Sequence, residues 1–489
     1  MVVLALVGLL PGCLKDRTVQ PVNVAPKESP ILPSQTPFSV TATATIPTGG
    51  SSPTPVSEPQ STRYGFDLRL DLPSRTLAVE EQIHFYNAYA ESLSELVLMV
   101  PPNEKPGRFL LKNLAFSDGS PIVDYRLEGE QLTIPLGDGL QQGETIGIHL
   151  SYDLVIPSGD GLLGYTGRQL NLGDWYPFIP VFQSGSGWLS HAPGATGEHL
   201  VYDLADYDIT LTLSQPDPEW IVAASAPEEP LENGWHFTLP QARSFALSLS
   251  REYQVAEVYV NGVLVRSYSF PEHAAQGETV MRASADAIAL FDELYGHYPH
   301  TSLAAVEGDL PDGMEYAGMF FLSKSFYQNY EGEPVDYLVT LSAHETAHNW
   351  FYGLVGNDPA LEPWLDEALC TYSEALFFER YHPDLMDSWW RFRVESFSPT
   401  GWVDSTIYDH GAFRPYVNAV YLRGALFLQG LREMVGDEPF FAFLWDYVDR
   451  NTTQGAGHLS SFRFFFDLLE KYTNQDLKGL VRDFFASKP

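Results

Sequence analysis

His344-Glu345-Thr346-Ala347-His348, followed after eighteen residues by Glu367 in Trp364-Leu365-Asp366-Glu367-Ala368, is the stretch around which this chain can be read. On a helix of 3.6 residues per turn, two imidazoles four positions apart share one face, and the carboxylate beside His344 lies on the adjoining face. That arrangement is half of a zinc site with its own base. Zinc prefers four ligands in a tetrahedron, and a hydrolytic site keeps one position for water, so a third protein ligand is required. Glu367 is the candidate. It stands early in an apolar stretch, Leu365 to Tyr381, where Leu369, Tyr372, Leu376 and Phe377 recur at helical spacing. Packing this second helix against the first brings the Glu367 carboxylate opposite His344 and His348. The expected cofactor is one Zn2+ per chain, although ligands of these types also accept other divalent metals.

A zinc ion lowers the pKa of its water from 15.7 toward about 7. Glu345 is placed to take that water's proton and later pass it to a leaving amine.

The pattern also resembles a known family. His344-Glu345-x-x-His348 with Glu367 resembles the zinc motif of the aminopeptidase N family, which includes the leukotriene hydrolases. His348-Asn349-Trp350-Phe351 resembles the family's His-x-Trp-Phe, and Trp364-Leu365-Asp366-Glu367 resembles its Trp-Leu-Asn-Glu, with aspartate at 366. Upstream, Gly313-Met314-Glu315-Tyr316 resembles Gly-x-Met-Glu-Asn, with Tyr316 where asparagine is expected. Downstream, Tyr421-Leu422-Arg423-Gly424-Ala425 resembles Tyr-x-Lys-Gly-Ala.

The resemblance implies roles for these residues. An oxyanion needs a donor besides the metal, and the Tyr421 hydroxyl, neutral at pH 7, would supply it; the other reading of Tyr421 is a core aromatic among Val420, Leu422, Leu426 and Phe427. Tyr416, five residues earlier, is expected to line the same cleft. Glu315 would bind the free α-amino group of a peptide, with Gly313 and Met314 beside it as substrate-binding residues. It follows the turn-rich Leu310-Pro311-Asp312-Gly313 and precedes Gly318 to Leu322, a short strand able to pair with an extended peptide. The alternative is a solvated loop acid, the usual fate of a glutamate. A second amine-binding group normally comes from the family's amino-terminal domain, and no residue identifies it here.

Composition sets the frame. The 489 residues suggest more than one domain, and 44% hydrophobic residues suffice for substantial cores. Acidic residues outnumber Lys plus Arg by 63 to 28, a net charge of −35 that would repel phosphate backbones and anionic lipid surfaces, so nucleic acid is not an expected partner. Met1 to Leu10 is apolar but shorter than the ~20 residues that span a bilayer, and it reads as the core of a signal peptide. Leu10-Pro11-Gly12-Cys13 resembles a bacterial lipobox, which makes Cys13 the expected lipidation site. The only other cysteine, Cys370, is expected to be buried as a small apolar residue, without a disulfide. Residues 14–62 are rich in Pro, Ser and Thr and read as a disordered tether.

From 63 to 270 short alternating stretches predict strands: Tyr64 to Leu70, Ile83 to Tyr86, Ile146 to Leu150 and Ile209 to Leu213. From 271 to 489 the apolar period becomes helical, beginning with Ile288, Phe291, Leu294 and Tyr295. The expected fold is multidomain α+β, an amino-terminal all-β domain followed by a mainly helical, thermolysin-like zinc peptidase domain with a small edge sheet. The expected function is a zinc-dependent aminopeptidase acting on peptides, an extracytoplasmic bacterial lipoprotein, cell-surface or periplasmic, that meets a membrane only through its anchor. A zinc endopeptidase and an inactive surface binding protein of the same fold are the other readings. Side-chain specificity and oligomeric state have no signature in the sequence.

Overall fold

Alternation of apolar and polar residues along Thr62–Asp71 buries Tyr64, Phe66, Leu68 and Leu70 and leaves Arg63, Asp67 and Arg69 to solvent, the pattern of a strand covered on one face. The computed structural model describes residues 61–487, and this strand opens it. The expectations for the leader, for Cys13 and for the tether up to residue 60 lie outside the described residues.

Thr62–Asp71 sits in a seven-stranded sheet. It pairs antiparallel with Thr76–Tyr86 and parallel with Ala205–Leu213, in the register Phe66↔Ile209. Thr145–Val155 and Phe109–Phe116 extend the sheet on one side, Gly234–Ala242 and Glu229–Leu231 on the other. A three-stranded sheet (Leu93–Met99, Gln131–Leu140, Arg126–Glu128) and a four-stranded one (Ile221–Ala224, Leu247–Ser250, Gln169–Leu172, Leu163–Tyr165) complete the β architecture. Their shared core includes Leu70, Leu77, Ile83, Trp175, Ile209 and Phe237. All four stretches read as strands from their alternation fall within strands.

A five-stranded sheet begins the second half, in the order Gln254–Val260, Val263–Ser269, Ser302–Gly308, Met319–Ser323, Met314–Tyr316. Its first hairpin lies upstream of the boundary drawn at 270, because Val263–Ser269 pairs in parallel with Ser302–Gly308 across the intervening helix Ala274–Tyr295. The change of hydrophobic period marks the first helix of this half rather than its first strand. Met314–Tyr316 is the edge strand, antiparallel to Met319–Ser323. Glu315 thus belongs to the edge strand itself and is buried, where the sequence reading offered an acid in the loop before a strand.

Two helices carry the zinc motif: Tyr337–Ala347, with His348 at its carboxy-terminal cap, and Trp364–Tyr381. Both are nearly wholly buried, in a core with Ala343, Ala347, Trp350, Leu365, Ala368 and Leu369. The helix Arg423–Val435 packs on Trp364–Tyr381 at Gly424, where a Cβ would collide with the Cβ of Ala368, the residue after Glu367. The glycine of the Arg-Gly-Ala word is therefore fixed by a close helix crossing.

Substituting Gly424→Val should force these helices apart at that crossing. Overpacking a dense core costs about 1–3 kcal/mol, so urea unfolding is expected to show a loss of that size; an unchanged midpoint would mean that the crossing is not tight.

Candidate metal centre

Four-residue spacing on a buried helix places the His344 and His348 rings together, and their Nε2 atoms lie 3.2 Å apart. Glu367, from the first turn of the neighbouring helix, points an oxygen between them: Oε2 is 3.2 Å from His344 Nε2 and 3.6 Å from His348 Nε2. A tetrahedron with bonds of about 2.0–2.2 Å has edges of about 3.3–3.6 Å, so the three atoms are spaced as three corners around one zinc ion.

Hydrogen bonds behind the rings decide what the Nε2 atoms offer. His344 Nδ1 donates to Glu374 Oε1 at 2.8 Å, and His348 Nδ1 donates to the Phe351 carbonyl at 3.1 Å. When the imidazoles are neutral, both Nε2 atoms are thereby left as lone-pair acceptors facing a carboxylate. Three acceptors converging in a buried site require a cation. The titration of His344 expresses the same demand: burial disfavours its charge, yet its hydrogen bonds to Glu367 and Glu374 lift it to about 9. Burial likewise works to raise Glu367, but hydrogen bonds from His344 and His348 hold it well below the usual carboxylate range. The donor set of two imidazoles and one carboxylate fits zinc.

Glu374 is itself fixed. Arg393 grips it through two hydrogen bonds of 2.7 Å, Nε to Oε2 and Nη2 to Oε1. This pair keeps Glu374 ionised despite its burial and sets the tautomer of His344. Sequence reasoning missed both residues. Glu374 could have been found, seven residues after Glu367 and so two turns along the same face; Arg393, on a separate π-helical segment Trp390–Val394, carries no such signal.

Glu345 is buried beside the three ligands, and its Oε2 has no hydrogen-bond partner. Burial raises its carboxyl to about 8, with Glu315 acting in the same direction and His344 and His348 against it. Gly313 makes room for this carboxylate, since a Cβ there would run into Glu345 Oε1. Met314 follows in the edge strand, partly buried. Tyr421 lies in a π-helical stretch, Asn418–Leu422, and its hydroxyl donates to Glu367 Oε1 at 2.5 Å. Its ring is parallel to that of His344 at 6.0 Å. Burial, and then the Glu367 charge, raise its pKa further above the usual tyrosine value, so it remains a neutral donor. Tyr416 is buried with its ring edge-on to Tyr421 at 5.6 Å. Cys370 is a free, buried thiol, as expected, with its sulfur directed at the Phe351 carbonyl.

Glu315 reaches the same centre from the sheet edge. Its Oε1, 3.7 Å from His348 Nδ1, is buried without a hydrogen-bond partner. Oxygens of Glu198, Glu315 and Glu367 lie within 4.8 Å of one another. Glu198 belongs to the β half and had no sequence signal, because its partner stands more than a hundred residues away in a different domain. A strap on the catalytic half delivers it: His191 Nε2 meets Asp358 Oδ2 at 2.8 Å, Tyr408 donates to the Ala192 carbonyl at 2.7 Å, Gly197 lies against Ile407 and Tyr416, and Asp203 accepts from the Gly457 amide at 2.8 Å. Burial and then the neighbouring charge of Glu315 push the Glu198 carboxyl well above its ordinary value.

Known proteins match this arrangement. Residues 290–484 match the peptidase family M1 domain. The chain is 26% identical over 316 residues to an aminopeptidase N of Streptomyces lividans, covering 58% of this chain and 36% of that protein. It is 23% identical over 271 residues to an aminopeptidase N of Lactobacillus delbrueckii subsp. lactis, covering 50% and 32%. The chain thus spans about a third of the length of these curated relatives. The crystal structure of an M1 zinc metallopeptidase from Deinococcus radiodurans superimposes with a TM-score of 0.60 at 20% identity, covering 88% of this chain and 95% of that one. The two helices that carry the metal triangle lie within the residues that match the peptidase family M1 domain, and the similarity to aminopeptidases N points the same way.

Proposed function

We propose that this protein is a zinc-dependent aminopeptidase that removes amino-terminal residues from peptides. The observation that carries the reading is the pair Glu198 and Glu315, two carboxylates whose oxygens lie within 4.8 Å of each other beside the metal triangle. Like charges so close are unfavourable unless a proton or a cation lies between them. An α-ammonium, with its three N–H donors, suits both. The edge strand Met314–Tyr316 offers backbone groups to an extended peptide and carries one of the two acids, so binding the amino terminus would fix which peptide bond meets the metal. The matched relatives named aminopeptidase N support the same reading.

Held by His344, His348 and Glu367, zinc would acidify a water and polarise the scissile carbonyl. Glu345, poised by burial near neutral pH, takes the water's proton and returns it to the leaving amine. Tyr421 turns its hydroxyl from Glu367 Oε1 to the developing oxyanion, which it stabilises as a neutral donor. Glu374 and Arg393 hold the His344 ring throughout. Catalytically, an endopeptidase would use the same groups; it would have no use for the Glu198 and Glu315 pair.

We also propose that Cys13 carries a lipid and tethers the enzyme outside a bacterial cytoplasm, supported by the apolar run before it and the Pro/Ser/Thr-rich segment after it. In cells fed labelled palmitate, label should enter the wild type and be absent from Cys13→Ser; equal labelling would sink the assignment.

A peptide and its N-acetylated twin separate exopeptidase from endopeptidase. The free peptide should be cut and the acetylated one spared, whereas equal cleavage would favour the endopeptidase. Glu345→Gln should keep its zinc, measured by metal analysis, and lose about 10²–10⁴-fold in kcat, the usual worth of a positioned general base. Zinc-loaded wild-type protein that cleaves neither peptide would leave the binding-protein reading standing.

A further inference from the structure

The strap that carries Glu198 is a loop whose ends meet where Ser190 and Leu200 form an antiparallel bridge. At this neck Val181, Leu189 and Val201 make a small apolar cluster of their own. Beyond it, no residue from 191 to 200 is buried. The sequence explains why, since Ala192 to Gly197 consists of alanine, proline, glycine and threonine, with no large apolar side chain to anchor in a core. Apolar packing by the loop therefore does not place Glu198, and its position falls to polar contacts and close backbone approaches.

A histidine stands at each end of that stretch, and the two grip opposite halves. His199 Nε2 donates to Glu130 Oε2 at 3.0 Å, in the turn between Arg126–Glu128 and Gln131–Leu140. Ser190 Oγ donates to Gln131 Oε1 at 3.2 Å, so consecutive residues of the β half hold both arms of the neck. His191 Nε2 donates to Asp358 Oδ2 at 2.8 Å on the catalytic half. Asp358 is fixed in turn, its Oδ1 accepting from the amides of Ala360 and Leu361 at 3.1 Å each, just ahead of the helix that carries Glu367. The Ala360 carbonyl accepts from the Ile407 amide at 3.0 Å, and Gly194 and Gly197 lie against the Ile407 side chain. Gly197 has a φ of 72°, and a Cβ there would strike Ile407 and the Tyr416 hydroxyl, so the chain reaches Glu198 through a position that only glycine fits. Glu198 is thus bracketed by Gly197, pressed on the catalytic half, and His199, clamped to the β half. Between them its carboxylate oxygen comes within 4.8 Å of one from Glu315.

We propose that His199 is a positioning residue for recognition of the amino terminus: clamped by Glu130, it holds the adjoining Glu198 at a distance from Glu315 that one α-ammonium can bridge. This rests on the aminopeptidase reading of the two acids and deepens it by naming what sets their spacing. Neither His199 nor Glu130 belongs to the metal triangle, so the clamp acts on binding and leaves the chemical step to the groups around the metal.

A double-substitution cycle read in KM for an aminoacyl p-nitroanilide tests this, with zinc content measured for every variant. His199→Ala should raise KM about ten- to a hundredfold while kcat changes little. His199→Gln, whose side-chain N–H can still donate to Glu130, should bring KM back close to the wild-type value. On a Glu198→Gln background, where KM is already high, His199→Ala should add little, because both changes remove the same contact. An unchanged KM in His199→Ala, or an effect that multiplies in full with that of Glu198→Gln, overturns the assignment, as does a loss in kcat and zinc that His199→Gln does not rescue. In each of those cases a raised KM in Glu198→Gln alone leaves the aminopeptidase reading intact. A wild-type KM in Glu198→Gln overturns the reading of the paired acids and the role of His199 with it.

Discussion

His344 Nε2, His348 Nε2 and Glu367 Oε2 converge to 3.2–3.6 Å inside a buried core, and with the imidazoles neutral none of the three brings a proton to the meeting point. Acceptors held so close repel one another unless a cation sits among them. Much of the catalytic half serves this convergence. The helix Tyr337–Ala347 aligns the imidazoles, Gly424 lets a third helix press against the one carrying Glu367, and Arg393 clamps Glu374 so that His344 presents the correct nitrogen. The surrounding apolar core, with Trp350, Leu365 and Ala368 fully buried, gives these polar groups little freedom to find other partners.

The same dryness shapes the chemistry. Glu345 would be an ordinary acid in water; buried between imidazoles and another carboxylate it titrates near 8, where accepting and returning a proton are closely balanced. Tyr421 moves in the same direction for the same reason, becoming a more reluctant acid and so remaining a neutral donor. Glu198 and Glu315 show the cost of that environment, since two carboxylates cannot share it without a cation or a proton. Under the proposed function, charge that is unfavourable in the free protein would become selectivity once a positively charged group arrives.

Sequence legibility follows the range of the interactions. The metal ligands and Glu345 were readable because helical periodicity converts spacing of four into a shared face, and Gly313 and Gly424 turn out to be glycines for steric reasons that sequence alone does not reveal. The strands around Tyr64, Ile83, Ile146 and Ile209 were readable from alternation, while the hairpin Gln254–Ser269 was assigned to the wrong half because strands of both sheets alternate alike and only pairing distinguishes them. Glu315 was singled out from the sequence, while its burial in the edge strand Met314–Tyr316 depends on a three-residue pairing with Met319–Ser323 that no local pattern announces. Glu198 was illegible altogether. Its position is set by His191, Ala192, Gly197 and Asp203 docking onto residues 150 or more positions downstream.

That strap joins the β half to the half that carries the metal triangle, Glu345 and Tyr421. Glu198, on the strap, comes from the β half, and its carboxylate oxygen lies within 4.8 Å of oxygens of Glu315 and Glu367. Under the proposed function the division of labour is physical: the helices would supply the metal and the general base, and the β half one of the two acids that would receive the amino terminus. Arg243, buried between the Tyr202 and Gly353 carbonyls, ties the two together at the loop following the zinc motif. The metal triangle lies wholly in the helical half, whereas the Glu198 and Glu315 pair spans both halves, so under the proposed function selectivity would depend on the contact between them.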